Sequence, residues 1–84
     1  MMEYAVYVLK SLSYPKHYVG YTSNLISRFK SHNALGKKGY TIRYRPWVVI
    51  HVEFYNSKNE AMSREKFLKS GKGRKWMKNN IHDY

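Results

Sequence analysis

Residues 3–10 read EYAVYVLK, and both alternating sets of side chains are apolar or aromatic. Ala5, Tyr7 and Leu9 point one way from a strand, and Val6 and Val8 point the other. Such a strand is covered by chain on both faces. With 84 residues to supply the cover, a single domain over residues 1–84 is expected, built on one apolar core. Hydrophobic residues make up 43% of the chain, enough to favour a packed core over disorder. There is no cysteine, which excludes a disulfide framework, a thiolate zinc site and a cysteine nucleophile. No apolar run is long enough to span a bilayer, and the first residues lack the apolar core of a secretory signal. A cytoplasmic protein with no membrane partner is expected.

The rest of the chain alternates strand and helix patterns. Residues 11–16 (SLSYPK) suit a hairpin connection, and HYVGYT at 17–22 a second strand in which Gly20 marks a bulge or a close backbone approach. Ser23 can cap a helix over about 24–33, with Leu25, Ile26 and Phe29 as its apolar face and Arg28 and His32 together along one margin. Residues 34–40 form a basic loop, and 41–46 are expected to be extended because Pro46 disfavours helix before it. WVVIHVEFY at 47–55 is the clearest strand, with Val48, Ile50, Val52 and Phe54 on one face. Ser57 and Glu60 form a capping box that opens a helix running to about Lys69 and stopping at Gly71. Residues 71–74 (GKGR) read as a basic turn, followed by a short last helix over 75–81 anchored by Trp76. The order is β-β-α-β-α with a final short α, an α/β or α+β fold with a small sheet flanked by helices.

Sixteen Lys+Arg face five Asp+Glu, a formal net charge of +11. Such a chain attracts polyanions, and nucleic acid leads the classes of partner. An anionic membrane surface ranks below it, since that mode needs a basic amphipathic helix with its apolar face free. The expected contact surface comprises Lys37 and Lys38 in the loop and Lys66, Lys69, Lys72, Arg74, Lys75 and Lys78 towards the end. Any single lysine among these can equally be a solvated charge.

Carboxylates are scarce, so each is informative. Glu60 is explained by its capping box, and Glu65 has no such explanation. On a helix it falls in line with Ala61 and Leu68, on the core-facing stripe, where a carboxylate is costly unless paired or metal-bound. The plain alternative is an ion pair with Arg28 or a lysine. The nine tyrosines are mostly accounted for by strand propensity and half-buried packing. Tyr7 and Tyr18 stand on the two strands of the proposed hairpin, and a tyrosine beside cations can relay protons. His17, His51 and His82 lack metal-ligand spacing and read as strand-surface or terminal residues.

Ala5-Val6-Tyr7, ten intervening residues, and Tyr18-Val19-Gly20 together resemble the paired motif of the GIY-YIG nuclease domain. Arg28 stands ten residues beyond Tyr18, His32 one helical turn later, and Glu65 on a later helix, as in that family. The resemblance covers nearly the whole chain. It is strongest to the small single-domain bacterial members, which are similar to the nuclease domain of the DNA-repair enzyme excinuclease C. Ala5 replaces the usual first-motif Gly, and Tyr21 stands where the repair-nuclease branch often has Lys. Asn79 and Asn80 lie near, but not at, the position of a family Asn.

The resemblance implies a three-stranded antiparallel sheet flanked by helices and a divalent-metal-dependent endonuclease that hydrolyses DNA phosphodiesters. Carried over, Glu65 binds one Mg²⁺ or Mn²⁺, and Arg28 holds the scissile phosphate. Tyr7 or Tyr18 helps to activate water, and His32 assists proton transfer. No spare element is available to read bases in the major groove. Selectivity is therefore expected for shape (branched, nicked or flapped duplex), with targeting left to a partner protein. The alternative is a non-catalytic basic DNA-binding module with the same fold. A basic RNA-associated structural protein leaves the spacing of Arg28, His32 and Glu65 unexplained.

Overall fold

The doubly apolar strand is the centre of the sheet. The structure, a computed structural model, describes residues 3–25 and 43–84. Strand β1 (Tyr4–Ser11) lies between β2 (His17–Thr22) and β3 (Trp47–Tyr55), and both pairings are antiparallel. Helices α1 (Lys58–Lys69) and α2 (Gly71–Asn80) follow, giving an α+β fold. On one face of β1, Val6 and Val8 are buried with Val19 of β2, Ala61 and Leu68 of α1, Met77 of α2 and Ile81. On the other, Tyr7 and Leu9 are buried with Trp47, and Tyr18, Leu25, Tyr44, Val49 and Val52 pack around them. No helix among the described residues is long and apolar enough to cross a membrane.

Two polar devices fix the joins. Buried Ser11 closes the hairpin: its Oγ accepts from the backbone N–H groups of Ser13 and Tyr14 and donates to the Tyr44 carbonyl at 2.7 Å. Ser57 caps α1, accepting from the Glu60 N–H at 3.2 Å. The return contact of the box runs from Ser57 Oγ to Glu60 Oε1 at 3.0 Å.

Three sequence expectations need correction. The strict alternation expected along β3 fails, because Val8 pairs with His51 while Leu9 pairs with Val49, leaving Ile50 as the extra residue of a β-bulge. Past the bulge the faces exchange. Trp47, Val49 and Val52 join the Tyr7 cluster, Ile50 and Tyr55 join the helix-side cluster, and Phe54, expected on an apolar face, is 64% exposed. The basic turn at 71–74 is instead the first turn of α2. Ser70, not Gly71, ends α1, and its Oγ accepts from the Gly73 N–H at 3.1 Å, so one residue terminates one helix and caps the next. Arg43 is helical and Tyr44 is in a turn rather than extended, since Pro46 restricts only the residue immediately before it. The helix expected over about 24–33 lies, beyond Leu25, outside the described residues, as does the basic loop.

Candidate active site

Gly20 shapes the site. It sits directly opposite Tyr7 in the antiparallel register, so both residues face the same side of the sheet. A Cβ at Gly20 would stand 2.5 Å from the Tyr7 hydroxyl oxygen and 3.1 Å from Tyr18 Cε1. The missing side chain is the space into which the Tyr7 phenol leans. Tyr7 is buried, and its ring lies 6.3 Å, centre to centre, from that of Tyr18. The paired motif thus acts as a packing unit: glycine on β2 lets the tyrosine of β1 reach over the edge strand.

Helix α1 packs against β1 and β2 and brings Glu65 to the same place. Ala61 and Leu68 are buried, which fixes the rotation of the helix and sets Glu65 at the margin of the core. Tyr7, Tyr18, Gly20 and Glu65 line one cleft of about 500 Å³. Tyr4 and Tyr21, Thr22 and Ser23 at the end of β2, and Lys58 in the first turn of α1 complete its walls. Three of the five residues assigned to chemistry from sequence, Tyr7, Tyr18 and Glu65, are therefore gathered. Arg28 and His32 lie outside the described residues, as do Lys37 and Lys38.

Glu65 has a lysine neighbour. Lys69, one helical turn on, places Nζ 3.5 Å from Glu65 Oε2 and 5.9 Å from the centre of the Tyr18 ring. That realises the ion-pair alternative read from the sequence. At this length, with the lysine half exposed, the contact is weak and displaceable. Among the described residues no three of His, Cys, Asp and Glu gather in a metal-binding group. What the cleft offers is one carboxylate with phenol and hydroxyl oxygens around it. That donor set suits a hard divalent ion that keeps most of its water.

Lys66 lines a hollow adjoining Glu65, and Lys69, Lys72, Arg74, Lys75 and Lys78 are exposed along α1 and α2. Neither Asn79 nor Asn80 lines the cleft; Asn80 Nδ2 donates to the Trp76 carbonyl at 2.7 Å and closes the end of α2. Lys58 was missed by the sequence reading. Its position at the opening of α1 was legible, but nothing in the spacing showed that α1 opens against the end of β2.

A second group was missed altogether. Glu53 on β3 accepts from Arg64 Nε at 2.8 Å and Nη2 at 3.1 Å, from His51 Nε2 at 2.8 Å and from the Tyr55 hydroxyl at 2.7 Å. Burial alone would raise its pKa, but the hydrogen bonds from Arg64, His51 and Tyr55 outweigh it and hold the carboxyl at about 2. The same pairing raises the Arg64 pKa, while burial and then the carboxylate push Tyr55 up. The Arg64 guanidinium also lies 4.5 Å from the centre of the Trp76 ring and 5.1 Å from that of Phe67. With every lone-pair direction used, Glu53 is structural. It ties β3 to the residue preceding Glu65, and its cross-strand partner is Val6, the residue preceding Tyr7.

Comparison with known proteins agrees with this architecture. A UPF0213 protein of Staphylococcus haemolyticus is 39% identical over 70 residues, which span 83% of this chain and 84% of that protein. Another, from Natronomonas pharaonis, is 38% identical over 68 residues, 81% of this chain and 79% of that one. The solution NMR structure of a UPF0213 protein from Bacillus halodurans superposes with a TM-score of 0.56 at 26% identity, covering 93% of this chain and 84% of that one. Residues 3–80 match the GIY-YIG catalytic domain, and the chain belongs to that family, whose fold is of the nuclease type.

Proposed function

We propose that the chain is a divalent-metal-dependent endonuclease that hydrolyses DNA phosphodiester bonds and selects substrates by shape. The observation that carries this reading is the convergence of Tyr7, Tyr18 and Glu65 on one open cleft in a chain of net charge +11. Glu65 would hold one Mg²⁺ or Mn²⁺, which when bound supplies positive charge at the leaving oxygen. Tyr7 or Tyr18 would help to position and activate the attacking water, and the packing of the Tyr7 ring against Gly20 holds its hydroxyl end in place. Arg28 would carry the charge of the scissile phosphate, with His32 passing the proton on. Lys58 and Lys69 add cations at the cleft, and the lysines of α2 extend the surface for the phosphate backbone.

Shape selection for branched, nicked or flapped duplex fits a helical surface that, among the described residues, offers charge along α1 and α2, and a targeting partner protein would supply any further address. The test is nicking of supercoiled plasmid, together with a panel of branched, nicked and flapped duplexes. Cleavage in Mg²⁺ or Mn²⁺ and none in chelator is expected, with the interrupted duplexes cut faster than the plain one. Cleavage that persists in chelator, or that follows one base sequence, contradicts the reading. The Lys69–Glu65 contact favours a second reading, a basic DNA-binding module whose carboxylate serves only as the lysine's partner. It predicts binding without metal-dependent product.

A further inference from the structure

Beside the cleft, sharing Tyr18 with it, is a second hollow of about 320 Å³ between β2 and the two helices. Its floor is apolar, formed by Val19, Leu68 and Met77, all buried. Its rim carries Lys69 and Arg74, both exposed cations, and no Asp or Glu lines it among the described residues. Its wall is aromatic: Tyr84 stacks on His17 with ring centres 3.8 Å apart and planes 6° from parallel, and the His17 Nε2 donates to the Tyr84 main-chain oxygen at 3.1 Å. Lys10 Nζ donates to the Asp83 carbonyl at 3.0 Å, which holds this stretch onto the sheet.

An apolar floor with aromatic walls and a cationic rim complements one chemistry well, a flat heteroaromatic ring joined to a phosphate. Lys69 relates the two sites, since it meets Glu65 on one side and lines the hollow on the other. A strand crossing the cleft would pass the hollow next. A base inside an intact duplex is stacked and paired and cannot enter; an unpaired one can.

We infer that this hollow is a subsite for one unpaired nucleotide adjoining the bond to be cut, its base seated between the accessible rings of Tyr18 and Tyr84, above the buried layer of Val19, Leu68 and Met77, and its phosphate held by Lys69 and Arg74. This rests on the reading of the chain as a DNA nuclease and gives that reading its shape selection: a nick, flap or branch is where an unpaired nucleotide becomes available.

The test is a binding measurement made in chelator, so that it does not depend on cleavage. Fluorescence anisotropy compares a fully paired duplex with the same duplex carrying one unpaired nucleotide. The native chain should bind the second at least about fivefold more tightly, as expected for one base stacked on aromatic side chains. A 2-aminopurine at the unpaired position should change its emission on binding. Tyr84→Ala and Arg74→Gln should each narrow the gap to below about twofold, a loss in the range of a single stacking or phosphate contact. Arg74→Gln alters an exposed helix position and leaves the fold intact, so the result does not hang on Tyr84→Ala folding. Lys78→Gln, on the same helix but away from the hollow, should weaken both DNAs by the same factor. Equal binding of the two DNAs by the native chain, or a gap kept by both hollow variants, overturns the subsite. Cleavage without any gap removes the subsite alone. A gap without metal-dependent cleavage keeps the subsite and removes hydrolysis.

Discussion

Gly20 is the residue on which the site geometry depends most directly. Its place is taken by the Tyr7 hydroxyl, and a methyl group there cannot coexist with the ring where it stands. Gly20→Ala should therefore displace Tyr7, costing about 1–3 kcal/mol of stability by overpacking and abolishing cleavage. Thermal melting and plasmid nicking measure the two effects, and an unchanged melting temperature would contradict the packing argument. Gly20 was legible as a close backbone approach and Tyr7 and Tyr18 as residues of two paired strands, while their grouping as one motif came from the resemblance to the GIY-YIG domain. Glu53 was not, because its partner Arg64 lies eleven positions away on another element and no local period connects them. Glu53 also sets a pH dependence. Its pKa falls from an ordinary 4.5 to about 2, so the folded chain binds fewer protons than the unfolded chain between those values. The stabilisation is complete above about pH 4.5 and is lost as pH falls towards 2, and it amounts to about 2–3 kcal/mol. Glu53→Gln should be less stable than the native chain at pH 7, and the two urea-denaturation curves should converge by about pH 2. A constant difference across that range would show that the carboxylate's charge is not what stabilises.

The joint between α1 and α2 carries the next prediction, at the scale of elements. Ser70 Oγ donates to the Phe67 carbonyl at 2.6 Å and accepts from the Gly73 N–H at 3.1 Å, serving both helix ends. Ser70→Ala should cost about 1 kcal/mol, the ordinary worth of one cap. Gly73→Ala should cost more, because a Cβ would stand 1.9 Å from the Phe67 backbone oxygen and 2.5 Å from Leu68 Cα, where only backbone could yield. Chemical denaturation ranks the two, and an equal or reversed order would mean that the joint relaxes freely. The sequence located both helices and the capping residue of α1, since apolar period and Ser-x-x-Glu spacing are local signals. It misplaced the start of α2 because Gly71 looked like a stop, whereas Ser70 ends one helix and begins the next without a loop. The bulge at Ile50 was invisible for a similar reason: strand alternation assumes regular pairing, and the extra residue is set by what β3 meets on β1.

On the scale of the whole molecule, the prediction concerns charge. A chain of net charge +11 should bind DNA with an affinity that falls steeply with salt, each neutralised phosphate adding about −0.9 to the slope of log K against log salt. Replacing both Lys72 and Lys75 by Gln should make that slope shallower by about 2, read from anisotropy titrations at several salt concentrations. A slope unchanged by the pair would take α2 out of the interface. Excess charge was readable from composition alone, but its distribution along exposed positions of α1 and α2 required the fold. The central claim is that the carboxylate of Glu65 makes this cleft catalytic. It is tested most directly by comparing the native chain with Glu65→Ala for nicking of supercoiled plasmid in Mg²⁺ or Mn²⁺, with DNA affinity measured in parallel. Nicking lost in the variant, with affinity held within about twofold of native, is the result predicted, since a carboxylate adds no attraction for phosphate. Equal nicking by both proteins, or none by either while both still bind DNA, would contradict it.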